Sequence, residues 1–200
     1  MAISGKYIVV FVEGDTDKVF FEALLRYYIQ KSKSKLNDWE ICSIRGVERY
    51  ESKVISKLKN GLIPKLAKTN KLVHAVCCSY DTDVFEYAER PVVNWKKVRK
   101  GVKELGIPNF LEIEVKRMIE DWFLCDVSGL CKYLKISEPT KLEGKDGFTK
   151  VKLLFKKGNK IYQKGLSCQR FIDSLDMGVI RNTQQANLIE LEKLLGVKWS

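Results

Sequence analysis

The stretch Tyr7-Ile8-Val9-Val10-Phe11-Val12-Glu13-Gly14-Asp15-Thr16-Asp17 decides how this chain is read. Its first six residues are apolar and rich in β-branched side chains, the composition of a strand covered on both faces. So short a run cannot cross a bilayer, which needs about 20 residues. Gly14 lets the chain leave the strand sharply, and Asp15 or Thr16 can cap a following helix. Val19, Phe20, Ala23, Leu24, Tyr27 and Tyr28 then recur at helical spacing.

The same pattern repeats downstream. Residues 39–44 predict a second strand, followed by Gly46. Residues 48–59 predict a helix that turns Val54, Ile55 and Leu58 inward. Residues 72–79 predict a third strand, which ends in Tyr80-Asp81-Thr82-Asp83. Trp95, Val98, Val102 and Leu105 mark a helix that Gly106 stops. Residues 110–115 predict a fourth strand, and Val115, Met118, Ile119 and Trp122 carry helical periodicity on to Cys125. Strands alternating with helices predict an α/β fold, a parallel sheet covered by helices on both faces. After Asp126 the rhythm changes. Residues 139–165 are lysine-rich and weakly patterned, and helices are expected at 169–175 and 183–195. The expected organisation is a core domain over residues 1–126 and a basic, mainly helical C-terminal extension over 127–200, packed on it.

Composition narrows the partners. The 200 residues carry 36 Lys and Arg against 25 Asp and Glu, a net charge of +11. That balance favours a polyanion such as nucleic acid. Lys96, Lys97, Arg99, Lys100 and Lys103 fall on the exposed side of one predicted helix. Residues 141–164, which include Lys156 and Lys157, interleave lysines with Phe148, Phe155 and Tyr162. Aromatics among lysines suit single-stranded bases; the alternative is a solvated surface with its rings turned inward. The six cysteines form no CxxC pair, and His74 is the only histidine, so reduced thiols are expected rather than a zinc site. His74 itself, inside an apolar strand, is expected to be a satisfied core residue. With no signal-peptide pattern and no spanning segment, a cytoplasmic protein without membrane association is expected.

In open parallel sheets ligands bind beyond the carboxyl ends of the strands. Two apolar strands here end in acids at that edge, the first at Glu13 and the third at Asp81 and Asp83. Stability does not require carboxylates there, and clustered carboxylates repel unless cations neutralise them. An oxygen-only set without histidine suits Mg²⁺ or Mn²⁺. The rule predicts that Glu13 and Asp81 lie within about a dozen ångströms of each other, the span of a paired-ion centre.

These residues resemble a known family. Val12-Glu13-Gly14-Asp15-Thr16-Asp17 is similar to the first motif of the toprim domain, and Gly46 also fits that family. Asp81-Thr82-Asp83 is similar to its Asp-x-Asp motif, and Met118-Ile119-Glu120-Asp121-Trp122-Phe123-Leu124 to a stretch in small stand-alone toprim proteins related to OLD-type nucleases, which are often found in prokaryotic defence systems. The resemblance covers roughly residues 5–125. It implies a metal-dependent nuclease acting on DNA or RNA, with Mg²⁺ or Mn²⁺ as cofactor, an ATPase as a possible partner in trans, and possible self-association. Asp81 and Asp83 would hold one ion, with Glu120 or Glu13 reaching a second. Glu13 would alternatively serve as general base, and Asp17 would support a metal through water. A basic side chain must balance developing charge; Lys116 and Arg117 are candidates, and Arg45 is another.

Two other readings fit the same residues. One is a toprim-like subunit that binds nucleic acid or an ATPase partner without cutting. The other is a phosphatase of the haloacid-dehalogenase type with Asp81 as nucleophile, although that reading leaves Glu13 without a role. A two-component receiver fits less well, because its acids are arranged in nearly the reverse order. No GxxxxGK[ST] loop is present.

Overall fold

The structure, a computed structural model, describes residues 5–86 and 92–199. Its centre is a four-stranded sheet in the order β2-β1-β3-β4, with every neighbouring pair parallel. The elements run β1 (Lys6–Val12), α1 (Asp15–Lys31), β2 (Asp38–Ser43), α2 (Tyr50–Lys57), α3 (Ile63–Ala67), β3 (Leu72–Asp81), α4 (Asp83–Glu86), α5 (Trp95–Glu104), β4 (Asn109–Val115), α6 (Ile119–Phe123), α7 (Val127–Leu134), α8 (Gly147–Lys157), α9 (Gln169–Ile172), α10 (Met177–Thr183) and α11 (Gln185–Leu195). The protein is therefore an α/β fold with a wholly parallel sheet. No helix among the described residues is long and apolar enough to cross a membrane.

The all-apolar reading of β1 reflects burial on both sides. Residues Ile8 to Val12 are each fully buried. Ile8, Val10 and Val12 point to one face, where they meet α1 and the C-terminal helices. Val9 and Phe11 point to the other, where they meet Tyr50, Val54, Leu58, Val98 and Val102. Alternation across a strand forces this division. Each such side chain contributes about 1.5–3 kcal/mol on burial. The two central strands thus anchor two cores at once. The C-terminal segment is part of the α1-side core, supplying Leu130, Leu154, Phe171, Ile180, Leu188 and Leu191.

Several elements differ from the sequence reading. The helix expected over 48–59 continues through a π turn, Leu58–Leu62, into α3. Leu58, Leu62 and Leu66 are buried at spacing four, and this packing carries the chain past Gly61. The helical periodicity from Val115 starts as a helix only at Ile119, because Val115 ends β4 and Arg117 adopts a left-handed φ of 64°. The weakly patterned stretch 139–165 contains α8, capped by Asp146, whose side chain accepts a hydrogen bond from the Thr149 N–H at 2.7 Å. The helix expected over 183–195 starts at Gln185, and α10 precedes it. All six cysteines are free thiols.

Candidate functional site

The site is assembled from strand tips and from the loops that follow them. After β2 the chain turns back onto the end of β1, where the backbone N–H groups of Arg45 and Gly46 donate to the Glu13 carbonyl at 2.9 and 3.1 Å. This turn requires positive φ at both residues, 63° at Arg45 and 123° at Gly46. At Gly46 that φ is one that residues with a side chain rarely adopt, so glycine suits the position. Glu13 is fixed by its backbone, and its Oε2 accepts a hydrogen bond from the Asp81 N–H at 3.4 Å. The tips of β1 and β3 are thus in direct contact.

The loops after β3 and β4 are tied to each other. Thr82 N–H donates to the Val115 carbonyl at 3.1 Å, Asp83 N–H to the Arg117 carbonyl at 3.0 Å, and Arg117 N–H to Thr82 Oγ1 at 2.7 Å. These bonds set Asp83 and the start of α6 at the same rim. Asp17 enters from the first turn of α1, where its Oδ2 accepts from the Gly14 N–H at 3.2 Å. Glu120, on α6, is fully buried, and its Oε1 accepts from the Tyr162 hydroxyl at 2.9 Å.

Electrostatics shows that these groups share one space. Burial, and then the charges of Asp17, Glu13, Glu120 and Asp83, push the Asp81 carboxyl up to about 10. Burial, and then Glu13, push Asp17 up to about 7. Glu13 is also raised by burial and by Asp83, against the lowering effect of the Asp81 N–H and of Lys164. Glu13, Asp17, Asp83 and Glu120 are therefore all near enough for their charges to act on Asp81. Like charges in a desolvated site hold protons that they would release in water.

The cation facing these acids is Lys164. Its Nζ lies 3.0 Å from Glu120 Oε1. Burial works against its charge, but Glu120, Asp81 and Asp17 more than offset this and hold the ammonium above its ordinary range. Lys164 arrives on a segment pinned at both sides, by the Tyr162 bond to Glu120 and by a 2.7 Å bond from Gly165 N–H to Thr16 Oγ1. In the sequence this lysine was one of several in the stretch 141–164. Glu120, the partner of both Lys164 and Tyr162, lies far away in the chain, so local spacing could not single the lysine out.

Lys116 and Arg117 are exposed beside the rim, as is Arg45. The charge of Arg117 acts on Asp121 and Asp146. The remaining basic candidates lie elsewhere. Lys96, Lys97 and Lys100 are exposed on α5, which packs on the opposite face of the sheet through Val98 and Val102. Lys97 pairs with Glu51 at 3.3 Å and Lys100 with Glu104 at 3.8 Å. Lys156 and Lys157 are exposed at the end of α8, and Lys157 pairs with Glu143 at 2.8 Å. His74 lies in the first half of β3, away from the tips, with its Nε2 3.2 Å from the Asn109 side-chain amide.

The donor set can be tested for a fit to a divalent cation. Asp17 Oδ1, Asp81 Oδ1 and Glu120 Oε2 are buried and have no hydrogen-bond partner. Orphaned carboxylate oxygens carry a desolvation cost that protons or a cation must offset. Oxygen donors without histidine or thiolate suit a hard cation. Among the described residues no three acid, His or Cys side chains are grouped so that they could hold a metal ion. The donor types suit a hard cation, whereas their spacing forms no ready ligand group among the described residues. No family model, no curated protein and no solved structure matches the chain.

Proposed function

We propose that the protein is a divalent-metal-dependent nuclease of the toprim, OLD-like type, hydrolysing phosphodiester bonds in DNA or RNA. The observation that carries this reading is the convergence of Glu13, Asp17, Asp81 and Glu120, from three different elements and a strand tip, with buried oxygens left unpaired. A structural role does not require it, since a buried acid without a partner costs stability. The order of the acids along the chain, the Glu-Gly tip followed by Asp-x-Asp, supports toprim over the phosphatase alternative, because Glu13 and Asp81 stand side by side.

Asp81 and Asp83, with Glu120 and Asp17, are the groups that would hold Mg²⁺ or Mn²⁺. When bound, such an ion supplies positive charge to the phosphoryl oxygens and lowers the pKa of water. The remaining work falls to the chain. Glu13, whose carboxyl burial makes more basic than usual, is suited to take a proton from an attacking water. Tyr162 donates to Glu120 and fixes that carboxylate. Lys164, half exposed and charged, is placed to face a phosphate that approaches from solvent. Arg45, Lys116 and Arg117 border the same rim and would hold the flanking backbone. The net charge of +11 supports a polyanionic substrate, and an ATPase supplied in trans belongs to the same reading.

The test is cleavage of plasmid, single-stranded DNA and tRNA in Mg²⁺ or Mn²⁺ by the wild type, Glu13→Gln and Asp81→Asn. The expected result is a loss of at least about 100-fold in both variants with binding retained. Equal cutting by all three proteins would assign the activity to a contaminant.

A further inference from the structure

We infer that an open pocket beside the acid rim receives an unpaired nucleobase, so that the preferred substrate is a single strand rather than an intact duplex. This rests on the nuclease reading above and adds its substrate class. The pocket has a volume of about 450 Å³ and is formed by the chain from Asn159 to Cys168 against α7, α8 and α9. That size falls within the range of small-ligand sites, about 300–1,000 Å³. Its floor is aromatic, with Phe155, Tyr162 and Phe171 packed within about 6 Å of one another and Tyr133 beside them. Its rim carries the polar side chains of Asn159, Gln163 and Ser167, together with Lys160. Ile161, 82% exposed, stands at the same rim, an apolar surface with no cover in the protein.

Three features favour a base over another occupant. The Lys160 ammonium rests 3.8 Å from the centre of the Tyr133 ring. A base can take that ring face while the ammonium turns to the adjoining phosphate, since stacking tolerates any base and lysine pairs with any phosphate. The amide and hydroxyl groups at the rim can both donate and accept, as base edges require. Most directly, one segment serves both places. Tyr162 lines the pocket while its hydroxyl holds Glu120, and Lys164 follows two residues later at the acids. A strand with its base in the pocket therefore has its neighbouring phosphate led by Lys160 towards Lys164. A base within a duplex stack cannot enter without being unpaired.

The experiment uses a short oligodeoxynucleotide carrying one 2-aminopurine, whose fluorescence falls on stacking, with a blunt duplex of the same sequence as competitor. Binding is measured on Asp81→Asn in Ca²⁺ and cleavage on the otherwise wild-type chain. Ser167→Trp fills the pocket mouth, and Ile161→Asp opposes the phosphate; both positions are exposed, so neither variant opens the core. Quenching by the parent protein, and about tenfold weaker binding and slower single-strand cleavage in both variants, are expected. Unchanged quenching and cleavage in both would overturn the pocket while leaving the nuclease intact. Quenching that depends on the pocket, with no cleavage by the wild type in any divalent metal, would instead overturn the nuclease reading and leave a base-binding site. A duplex that competes as well as the single strand overturns the proposed preference.

Discussion

At the scale of single residues, the acids at the rim set function against stability. Asp81 and Asp17 bind protons more tightly in the folded chain than in the unfolded one. Below about pH 4 both states are protonated and these groups contribute nothing. Above it the folded state holds more protons, so stability falls as pH rises, through about 7 for Asp17 and further for Asp81. Metal-free protein should therefore lose on the order of a few kcal/mol between about pH 5 and pH 8. Thermal melts across that range, with chelator present, check the sign; a melting temperature that rises with pH would contradict it. Asp81→Asn, which removes one of these acids, should melt higher than the wild type at about pH 8, by about 1–3 kcal/mol. Much of this site was legible in the sequence, because Glu13, Asp81 and Asp83 follow apolar strands and strand tips are where parallel sheets bind ligands. Lys164 and Tyr162 were not, because their partner is brought to them by tertiary packing alone.

At the scale of elements, the strands were easier to read than the helices. β1 and β3 are buried on both faces, so the apolar run itself marks them. α8 was hidden because its buried side is only Gly147, Val151, Leu154 and Phe155 among many lysines. Helices on the α1 side are joined by a compact polar knot as well as by apolar packing. Arg181, from α10, donates through Nε and Nη2 to the two oxygens of Glu192 on α11, both at 2.7 Å. Trp199 Nε1 donates to the same carboxylate at 3.0 Å, and the Arg181 guanidinium lies 4.3 Å from the Trp199 ring. Burial raises the Glu192 carboxyl, but these donors overcome it and hold it low. Arg181→Ala leaves that carboxylate buried and without its main partner, and should cost about 3 kcal/mol. Chemical denaturation checks this; a loss below about 1 kcal/mol would show that the pair is dispensable. The expected secondary outcome is loosening of the segment after α11, visible as faster amide exchange around Trp199.

At the scale of the whole molecule, the protein carries a net charge of +11, and its lysines and arginines are spread over several faces. Much of the basic surface is paired with acids, as Lys97 with Glu51, Arg99 with Glu112 and Lys157 with Glu143. Exposed pairs of this kind are each worth little and are screened by salt. Strand binding should still follow ionic strength, with a log–log slope of several charges for a single strand, at about −0.7 per phosphate neutralised. A slope near zero would show that the positive charge is solvating rather than substrate-binding. Composition predicted a polyanion partner, but it could not say which lysines face the site, because charge counts carry no direction.

If Glu13, Asp17, Asp81 and Glu120 act as one site, they take up a single hard cation. Calorimetric titration of Mn²⁺ into metal-free protein at about pH 7, repeated in two buffers of different ionisation enthalpy, tests it without any substrate. The expected result is binding with release of the protons held by Asp17 and Asp81, and loss of both binding and proton release in Asp81→Asn. Identical Mn²⁺ binding by the wild type and that variant, or none by either, would contradict it.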